Sequence, residues 1–346
     1  MLGMEFSRRP ERLLPSGKPI TSTVNLKTIA ALSSLSVILG IAVVISSSLQ
    51  AEDPDTSSKS KELEVLRLVE IRESEIPKYT ARRNPETDPI IIDGKLDEPG
   101  WKSAIRSPRF VDLITGKPVK FDTHASVLWD DEFLYVGYRI EEPDVRAALT
   151  RRDAPIYSEN DVELFIDGGG GYYEFEINAL GTLYEAFFIW EEAYDKHYAA
   201  MPEFRRDQPG VISFNGVGFK KHPRGKRIGF MRWDFQKLRS AVHVDGTLND
   251  SSDTDNGWTV ELALPWKSMA GLAQADDRSL PPKGGDTWRI DFSRFNQYRS
   301  DDDPASNGSK GWAWSRHGVW DSHIPECFVR VTFSAEDVVS SDTKSG

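Results

Sequence analysis

The chain has 346 residues, of which 39% are hydrophobic and 11% aromatic, so it can build a sizeable core in one large domain or two small ones. Its net charge is −11, and the body of the chain carries no basic cluster, which argues against a nucleic-acid partner. The one cysteine, Cys327, excludes an intrachain disulfide and a cysteine-based metal site. Ten tryptophans are many for this length, and exposed ones would suit the binding of sugar rings.

The first fifty residues have the layout of an export signal. Basic residues lead into an uncharged apolar run over 29–45, and polar and small residues follow up to Ala51. We expect residues 1–51 to be a secretory signal peptide, or an uncleaved N-terminal membrane anchor. Either one predicts that the body is exported to the periplasm, the cell surface or the medium. Residues 52–78 are expected to form a polar linker or N-terminal extension, although 62–79 fits a short helix or a strand equally well.

From Pro89 onward, short segments of alternating apolar and polar residues are separated by turn signals. Strands are predicted over residues 125–129, 133–140, 183–189, 242–248, 258–264, 287–295 and 328–333. About ten strands and little helix predict an all-β fold, an antiparallel β-sandwich with long loops, over residues 79–335. Residues 336–346 are expected to be a disordered tail.

The segment 161–178 predicts the central hairpin of this fold. Its loop is the glycine run Gly168–Gly171, because glycine readily adopts the positive φ angles that a hairpin loop needs. This loop places Asp167 opposite Tyr172, and it therefore places Glu163 opposite Glu176.

One face of this hairpin is apolar and the other is acidic. The acidic face carries Asp161, Glu163, Glu174, Glu176 and Asn178. Because like charges that face each other destabilise a sheet, this face suggests a partner: a cation, an arginine or a ligand with many hydroxyls. The alternative is an ordinary sheet face exposed to solvent.

Five segments, in order along the chain, resemble the motifs of one known family. They are 93–101 (DGKLDEPGW), 161–167 (DVELFID), 173–178 (YEFEIN), 257–266 (GWTVELALPW) and 288–292 (WRIDF). The chain from Tyr79 to Phe333 thus resembles carbohydrate-binding module family 9, known as a module appended to xylanases, and the wider group of family 9-like domains. The resemblance implies a β-sandwich of the DOMON/family 9-like type and no organic cofactor.

The resemblance also implies a set of ligand-binding residues. Modules of family 9 hold a small sugar or the end of a sugar chain between two aromatic rings, while polar side chains contact the hydroxyls. Tyr157 takes the position of the first aromatic residue, Glu163 that of the ligand-binding acid, and Asn178 that of the ligand-binding amide. The second aromatic residue is Trp312 or Trp314, and we expect at least one of them to be exposed.

Glu176 departs from the family pattern, because well-known members have a ligand-binding arginine at this position. We include Glu176 among the predicted ligand-binding residues, since it faces Glu163. Arg151, Arg289 and Arg294 are the candidates to supply the missing positive charge.

Members of the family also carry structural calcium, which prefers hard oxygen ligands. Asp93 and Asp97 are the candidate ligands that the resemblance suggests here, and a polar loop supplies further acids at Asp250, Asp253 and Asp255. None of these spacings forms an EF-hand loop.

The function implied is non-catalytic binding of a mono- or oligosaccharide, or of a polysaccharide chain end, in the extracytoplasmic binding or catabolism of a polysaccharide such as xylan. Two alternatives stay open. A glycoside hydrolase needs paired carboxylates, which Glu163 and Glu176 offer, but on an exposed face they lack a buried cleft. A haem-binding redox domain of related fold needs methionine and histidine ligands, for which Met201, Met231 and Met269 remain.

Overall fold

The computed structural model describes residues 54–297 and 309–338. The predicted signal peptide or anchor over residues 1–51 lies outside this part of the chain. Within it, no helix combines the length and the apolar character that crossing a membrane would require.

The described residues are mostly β-structure. The strands are β1 (Lys78–Arg83), β2 (Val111–Asp112), β3 (Thr123–Trp129), β4 (Phe133–Glu141), β5 (Asp161–Asp167), β6 (Gly171–Asn178), β7 (Leu183–Trp190), β8 (Val211–Phe214), β9 (Arg227–Phe230), β10 (Arg239–Asp245), β11 (Gly257–Pro265), β12 (Thr287–Phe295), β13 (Gly311–Ala313) and β14 (Val329–Asp337). The α-helices are α1 (Pro54–Leu68), α2 (Pro99–Ser103) and α3 (Glu191–Ala193), and single helical turns lie in several loops.

Hydrogen bonds connect the strands in the order β10-β11-β4-β3-β1-β14-β12-β5-β6-β7-β9-β8, while β13 pairs with β12 and β2. Every pairing is antiparallel except those of β1, which runs parallel to both of its neighbours. Residues 78–81 of β1 pair with β14, and Arg82 and Arg83 pair with β3. Strand β1 therefore passes from one layer to the other and joins them.

The two layers face each other across a common core. The ring of Tyr138 on β4 lies 6.2 Å from that of Phe292 on β12, and its hydroxyl donates a 2.8 Å hydrogen bond to the carbonyl oxygen of Glu163 on β5. Strand β4 is not a neighbour of β12 or β5 in the sheet order, so these contacts span the sandwich. The predicted all-β sandwich, largely antiparallel and with little helix, is confirmed.

The segment expected to be a linker contains helix α1, which packs on the domain. Val65 and Leu66 are buried against Ile324 and Cys327, and Glu62 pairs with arginines of β12 and β14. Helix α1 thus occupies residues 54–68 of the predicted linker or N-terminal extension. Within 62–79, where helix and strand were both open, residues 62–68 are helix and β1 begins at Lys78. At the other end, β14 extends to Asp337, and the remainder of the predicted tail from residue 339 lies outside the described residues.

Candidate functional site

The hairpin formed by β5 and β6 has the predicted register. Asp167 pairs with Tyr172 and Glu163 with Glu176. Glycine is needed in its loop for two reasons. Gly169 has a positive φ of 72°, and a Cβ on Gly170 would lie 2.4 Å from the side chain of Ala275.

Both faces of this hairpin are buried. The apolar face, with Val162, Leu164 and Phe175 among its residues, lies in the main core. The acidic face is covered as well: Asp161 and Asn178 are 0% exposed, and the three glutamates on it are also buried. The alternative of an ordinary solvent-exposed sheet face is therefore wrong.

The three glutamates of the acidic face form the floor of a cavity of about 410 Å³. Its walls come from β7, β8, Met231 just after β9, the end of β12, the turn that carries Tyr157, and the segment 320–323. The lining residues are Tyr157, Glu163, Glu174, Glu176, Tyr184, Phe188, Ile212, Phe214, Val217, Met231, Phe295, Gln297, Trp320, Asp321, Ser322 and His323. This volume lies within the roughly 300–1,000 Å³ of typical small-ligand pockets. Aromatic walls over an acidic floor suit a ligand that has apolar faces and hydroxyl donors.

Three of the predicted ligand-binding residues meet in this cavity. Tyr157 is 52% exposed, its ring lies edge-on at 6.0 Å from that of Tyr184, and its backbone N–H donates a 2.8 Å hydrogen bond to Glu176. The side chain of Gln297 donates to the Tyr157 carbonyl oxygen at 3.1 Å and so holds the turn. Glu163 lies beside Glu176 and accepts a hydrogen bond from the hydroxyl of Ser293 at 3.4 Å.

Burial and mutual repulsion disfavour the charged forms of these acids. Burial and the neighbouring charge of Asp291 raise the pKa of Glu163 to about 8. Burial, followed by the charges of nearby acids, also raises the pKa values of Asp161, Glu174 and Glu176 well above the ordinary range. The cavity floor therefore favours any group that brings positive charge or hydrogen-bond donors to it.

His323 closes one side of the cavity in a neutral state. Burial lowers the pKa of His323 to about 3. Its Nδ1 lies 3.2 Å from the Tyr172 hydroxyl and its Nε2 lies 3.3 Å from a carboxylate oxygen of Glu174. Arg227 donates to the same tyrosine hydroxyl at 3.2 Å. His323 and Met231 both line this cavity and are residue types that can ligate haem iron. Both ring nitrogens of His323 already contact protein groups, so this arrangement does not favour a haem-binding domain.

Asn178 does not line the cavity. Its Oδ1 accepts hydrogen bonds from the backbone N–H groups of Leu180 and Thr182, at 3.1 and 2.9 Å. Its Nδ2 donates to the carbonyl oxygen of Leu149 and to the side chain of Glu159. The amide therefore closes the turn after β6, which removes it from the set of hydroxyl-contacting residues.

Trp312 and Trp314 are not cavity walls either. They are 1% and 5% exposed, and the expectation that at least one is exposed is wrong. The ring of Trp314 packs against Tyr79 at 5.1 Å, and the guanidinium of Arg294 lies 4.8 Å from the ring of Trp312. The two rings stabilise the core beneath the site.

Sequence reasoning missed Trp320 and Asp321, which line the cavity in their place. Trp320 is half-buried and packs edge-on against Phe295 at 5.1 Å. One carboxylate oxygen of Asp321 accepts backbone N–H bonds from residues 217, 218 and 219 at 2.8–3.1 Å, and this ties the 216–219 loop to the wall. The aromatic content of 312–320 was the available signal, but it did not distinguish among the three tryptophans there.

The structure does not bring Asp93 and Asp97 together as metal ligands. Both are exposed, and Asp93 accepts a hydrogen bond from the backbone of Lys95. Within residues 54–297 and 309–338, two other acidic groups could hold an ion: Asp153, Glu185 and Asp234, and Asp161, Glu163 and Glu176. Asp93 and Asp97 belong to neither group, and their assignment to calcium stays a prediction.

None of the three arginines proposed to replace the family's arginine lines the cavity. Arg289 pairs with Glu62 at 2.6 Å, Arg294 lies 3.5 Å from Glu142, and Arg151 is exposed. The positive charge expected beside Glu176 is absent from the described side chains that line the cavity.

Residues 118–196 match the family model for carbohydrate-binding family 9. The resemblance to this family is thereby confirmed, and the matched segment includes the whole β5–β6 hairpin and Tyr157. The matched segment supplies the floor of the cavity and part of its walls, while β8, Met231 and the late tryptophan lie beyond it.

Two solved structures to which the chain is similar are of a family 9 carbohydrate-binding module from Caldicellulosiruptor kristjanssonii. The one in complex with cellotriose is 12% identical, with 78% of this chain and 97% of that chain covered and a TM-score of 0.42. The one in complex with glucose is also 12% identical, with 75% and 97% covered and a TM-score of 0.39. No curated protein matches the chain.

Proposed function

We propose that this protein binds a carbohydrate, without catalysis, in the cavity over the acidic face of the β5–β6 hairpin. The observation that carries the proposal is the cavity itself, in which a floor of three glutamates lies beneath aromatic walls in a family 9 segment. Aromatic faces stack on the C–H faces of sugar rings, and carboxylates accept hydrogen bonds from hydroxyls. The ligand is a small sugar or the end of a polysaccharide chain, because the cavity of about 410 Å³ takes only a short piece.

The affinity expected from one stacking contact and a few hydrogen bonds is modest, roughly micromolar to millimolar. The exported position predicted from the N-terminal apolar run fits a role in polysaccharide binding or catabolism outside the cytoplasm. Xylan is one polymer to test, since modules of this type accompany xylanases.

A glycan array probed with the full chain, followed by calorimetry, tests this proposal. Tyr157→Ala and Trp320→Ala should each weaken binding at least tenfold, because each removes an aromatic wall. Trp233→Ala is the matched control, since Trp233 is a half-buried tryptophan that does not line the cavity. Failure of the wild-type chain to bind any mono-, oligo- or polysaccharide would contradict the proposal.

A glycoside hydrolase is the second candidate, and one observation favours it. Glu163 and Glu176 are buried in a cavity, with carboxylate oxygens within 4.8 Å, whereas an exposed face had been expected. A separation of about 5 Å between two carboxyl groups is typical of retaining glycosidases. Release of reducing sugar that is lost in Glu163→Gln and kept in Trp233→Ala would support this candidate, and its absence on every glycan that binds would exclude it.

A further inference from the structure

Three carboxylates converge at one end of the acidic face; Glu163 and Glu176 line the cavity, and Asp161 lies beside them outside its lining. Glu163 and Glu176 face each other across β5 and β6, and Asp161 lies two residues before Glu163 on the same face. One oxygen from each lies within 4.8 Å of one oxygen from each of the others. We call these three residues the acid triad. All three are buried, so solvent does little to screen their mutual repulsion.

Asp161 provides a second and independent observation. It is 0% exposed, and neither of its carboxylate oxygens has a partner with hydrogen-bond geometry, although the backbone N–H of Phe295 faces it across the sheet. Buried polar groups in folded proteins are almost always paired, because an unpaired one costs free energy. A buried carboxylate without a well-formed hydrogen bond, directed at two other carboxylates, marks a position for a ligand.

Protein cations do not fill that position. Among the described lysines and arginines, none forms an ion pair with the acid triad; Arg289 and Arg294 pair with Glu62 and Glu142 instead. The imidazole of His323 contacts Glu174 rather than the triad. The donors that reach the triad are neutral: the Tyr157 N–H to Glu176, the Ser293 and Ser322 hydroxyls to Glu163, and the Phe295 N–H to Asp161.

We propose that the acid triad binds a divalent cation of the calcium class at the floor of the cavity. Its ligands are carboxylate oxygens only, which is the donor set that Ca²⁺ prefers. Calcium–oxygen distances are about 2.3–2.6 Å, so two ligands on opposite sides of one ion lie up to about 5 Å apart. The triad oxygens, all within 4.8 Å of one another, satisfy this limit.

Calcium takes about six to eight oxygen ligands, and three carboxylates leave several positions for other oxygens. These positions face the cavity, where water or neighbouring hydroxyls of a sugar can occupy them. This last step rests on the proposed function, whereas binding of the ion does not. The proposed ion site gives Glu176 a role: it supplies an oxygen ligand and negative charge where well-known family members have an arginine.

The second acidic group provides a matched control. Asp153, Glu185 and Asp234 also have oxygens within 4.8 Å, but Arg152 pairs with both Glu185 and Asp234. Its charge is partly neutralised by that arginine. Asp234→Asn therefore removes an acid from a comparable cluster without touching the acid triad.

The test is a calorimetric titration of Ca²⁺, and separately of Mg²⁺, into the purified full chain after treatment with a chelator and without sugar. The wild type and Asp234→Asn should bind one Ca²⁺ more tightly than Mg²⁺. Glu176→Gln and Asp161→Asn should weaken Ca²⁺ binding at least tenfold. Circular dichroism in chelator establishes that each variant is folded. Because Glu176 and Asp161 lie on different strands, the test still works if one of the two variants does not fold.

No Ca²⁺ binding by the wild type, or equal binding by the wild type and both triad variants, would overturn the proposal. The glycan array repeated in chelator separates the two proposals. Sugar binding that chelator does not change would overturn the ion's role toward the sugar and leave the proposed function standing. Ca²⁺ binding without binding to any glycan would support the cation site and contradict the proposed function.

Discussion

Two regions of this protein bury carboxylates in opposite ways. On β11, Glu261 is 0% exposed and accepts hydrogen bonds from the backbone N–H groups of Asp93 and Gly94, at 2.9 and 2.7 Å, and from the indole N–H of Trp101 at 2.7 Å. On β5 and β6, the acid triad is equally buried, yet it receives few hydrogen bonds and no ion pair from the described residues.

The difference separates a structural acid from a ligand-binding acid. Around Glu261, the segment 93–101 provides two backbone donors and the Trp101 indole, which offset part of the cost of burial; burial still raises the pKa of Glu261 to about 7. The acid triad has fewer donors, so the cost of burying its carboxylates is largely unpaired. A ligand that supplies positive charge or hydrogen-bond donors would remove that cost and would therefore bind more tightly. Stability measurements on matched Glu→Gln variants can test this distinction.

Glu261→Gln should have the largest effect. An amide in place of the carboxylate presents N–H groups to a site that already contains three donors, which should lower the free energy of unfolding by about 3 kcal/mol. Chemical denaturation of the full chain measures it, with the exposed Glu64→Gln on α1 as the control. An unfolding midpoint like that of the wild type would contradict the claim that Glu261 is a structural acid.

Asp321→Asn tests an acid that lines the cavity but resembles Glu261 in its bonding. One of its oxygens accepts three backbone N–H bonds and the other accepts the N–H of His323 at 2.9 Å. An asparagine can keep only one of these oxygens, so we expect a loss of about 2 kcal/mol in unfolding free energy. A variant as stable as the wild type would show that the number of hydrogen-bond donors to a buried acid does not decide whether that acid stabilises the fold.

Glu176→Gln should act in the opposite direction. The glutamine oxygen can still accept the Tyr157 N–H, while a buried acid whose ionisation its neighbours disfavour becomes a neutral amide. In chelator, the variant should be more stable by about 1 kcal/mol, which is a common result when a strained functional site is relaxed. Thermal unfolding measures this, and destabilisation comparable with that of Glu261→Gln would contradict our interpretation of the triad.

Glu326 is an intermediate case with one strong partner, and it should show the smallest effect. Burial alone would raise the pKa of Glu326, but the hydrogen bond and charge of His222, 3.1 Å away, outweigh it and lower the pKa. Its ionised form is thus favoured in the folded state, so the stability it contributes is present above its unfolded pKa of about 4.3 and is lost as the pH falls through its lower folded pKa.

The measurement compares the wild type with Glu326→Gln in denaturation experiments from pH 7 to pH 3. The wild type should be more stable by about 1 kcal/mol at pH 7, and the difference should shrink below about pH 4. A difference that does not change with pH would mean that His222 does not favour the charged form.

The residue pattern within 161–178 was sufficient to predict the hairpin, but not the segments that pack over its acidic face. The glycine run and the alternation of residues determine the register, because both act within eighteen residues of chain. The cover comes from β8, Met231 and residues 320–323, which are distant from the hairpin in the sequence, and β8 is only four residues long. No local signal indicates that such pieces fold over one particular sheet face.

The tryptophans illustrate the same limit. Period-two reasoning placed Trp312 and Trp314 on one face, and both are buried, but it could not tell which face contacts the core. Trp320 follows a turn beyond β13, so its position depends on the loop path rather than on strand alternation. The sequence of α1 did contain a helical pattern, because Val65, Leu66 and Val69, the last just beyond its end, follow helical spacing. The charged residues around them favoured the interpretation as a linker.

Helix α1 has a practical consequence for anyone who trims the protein. Val65, Leu66 and Val69 cover Ile324 and Cys327, and the chain between the cavity residue His323 and β14 lies directly beneath them. A fragment that starts at Tyr79, where the strands begin, would expose this apolar patch together with the chain's sole thiol. Such a fragment should aggregate and react with thiol reagents, and a usable expression boundary lies before Pro54.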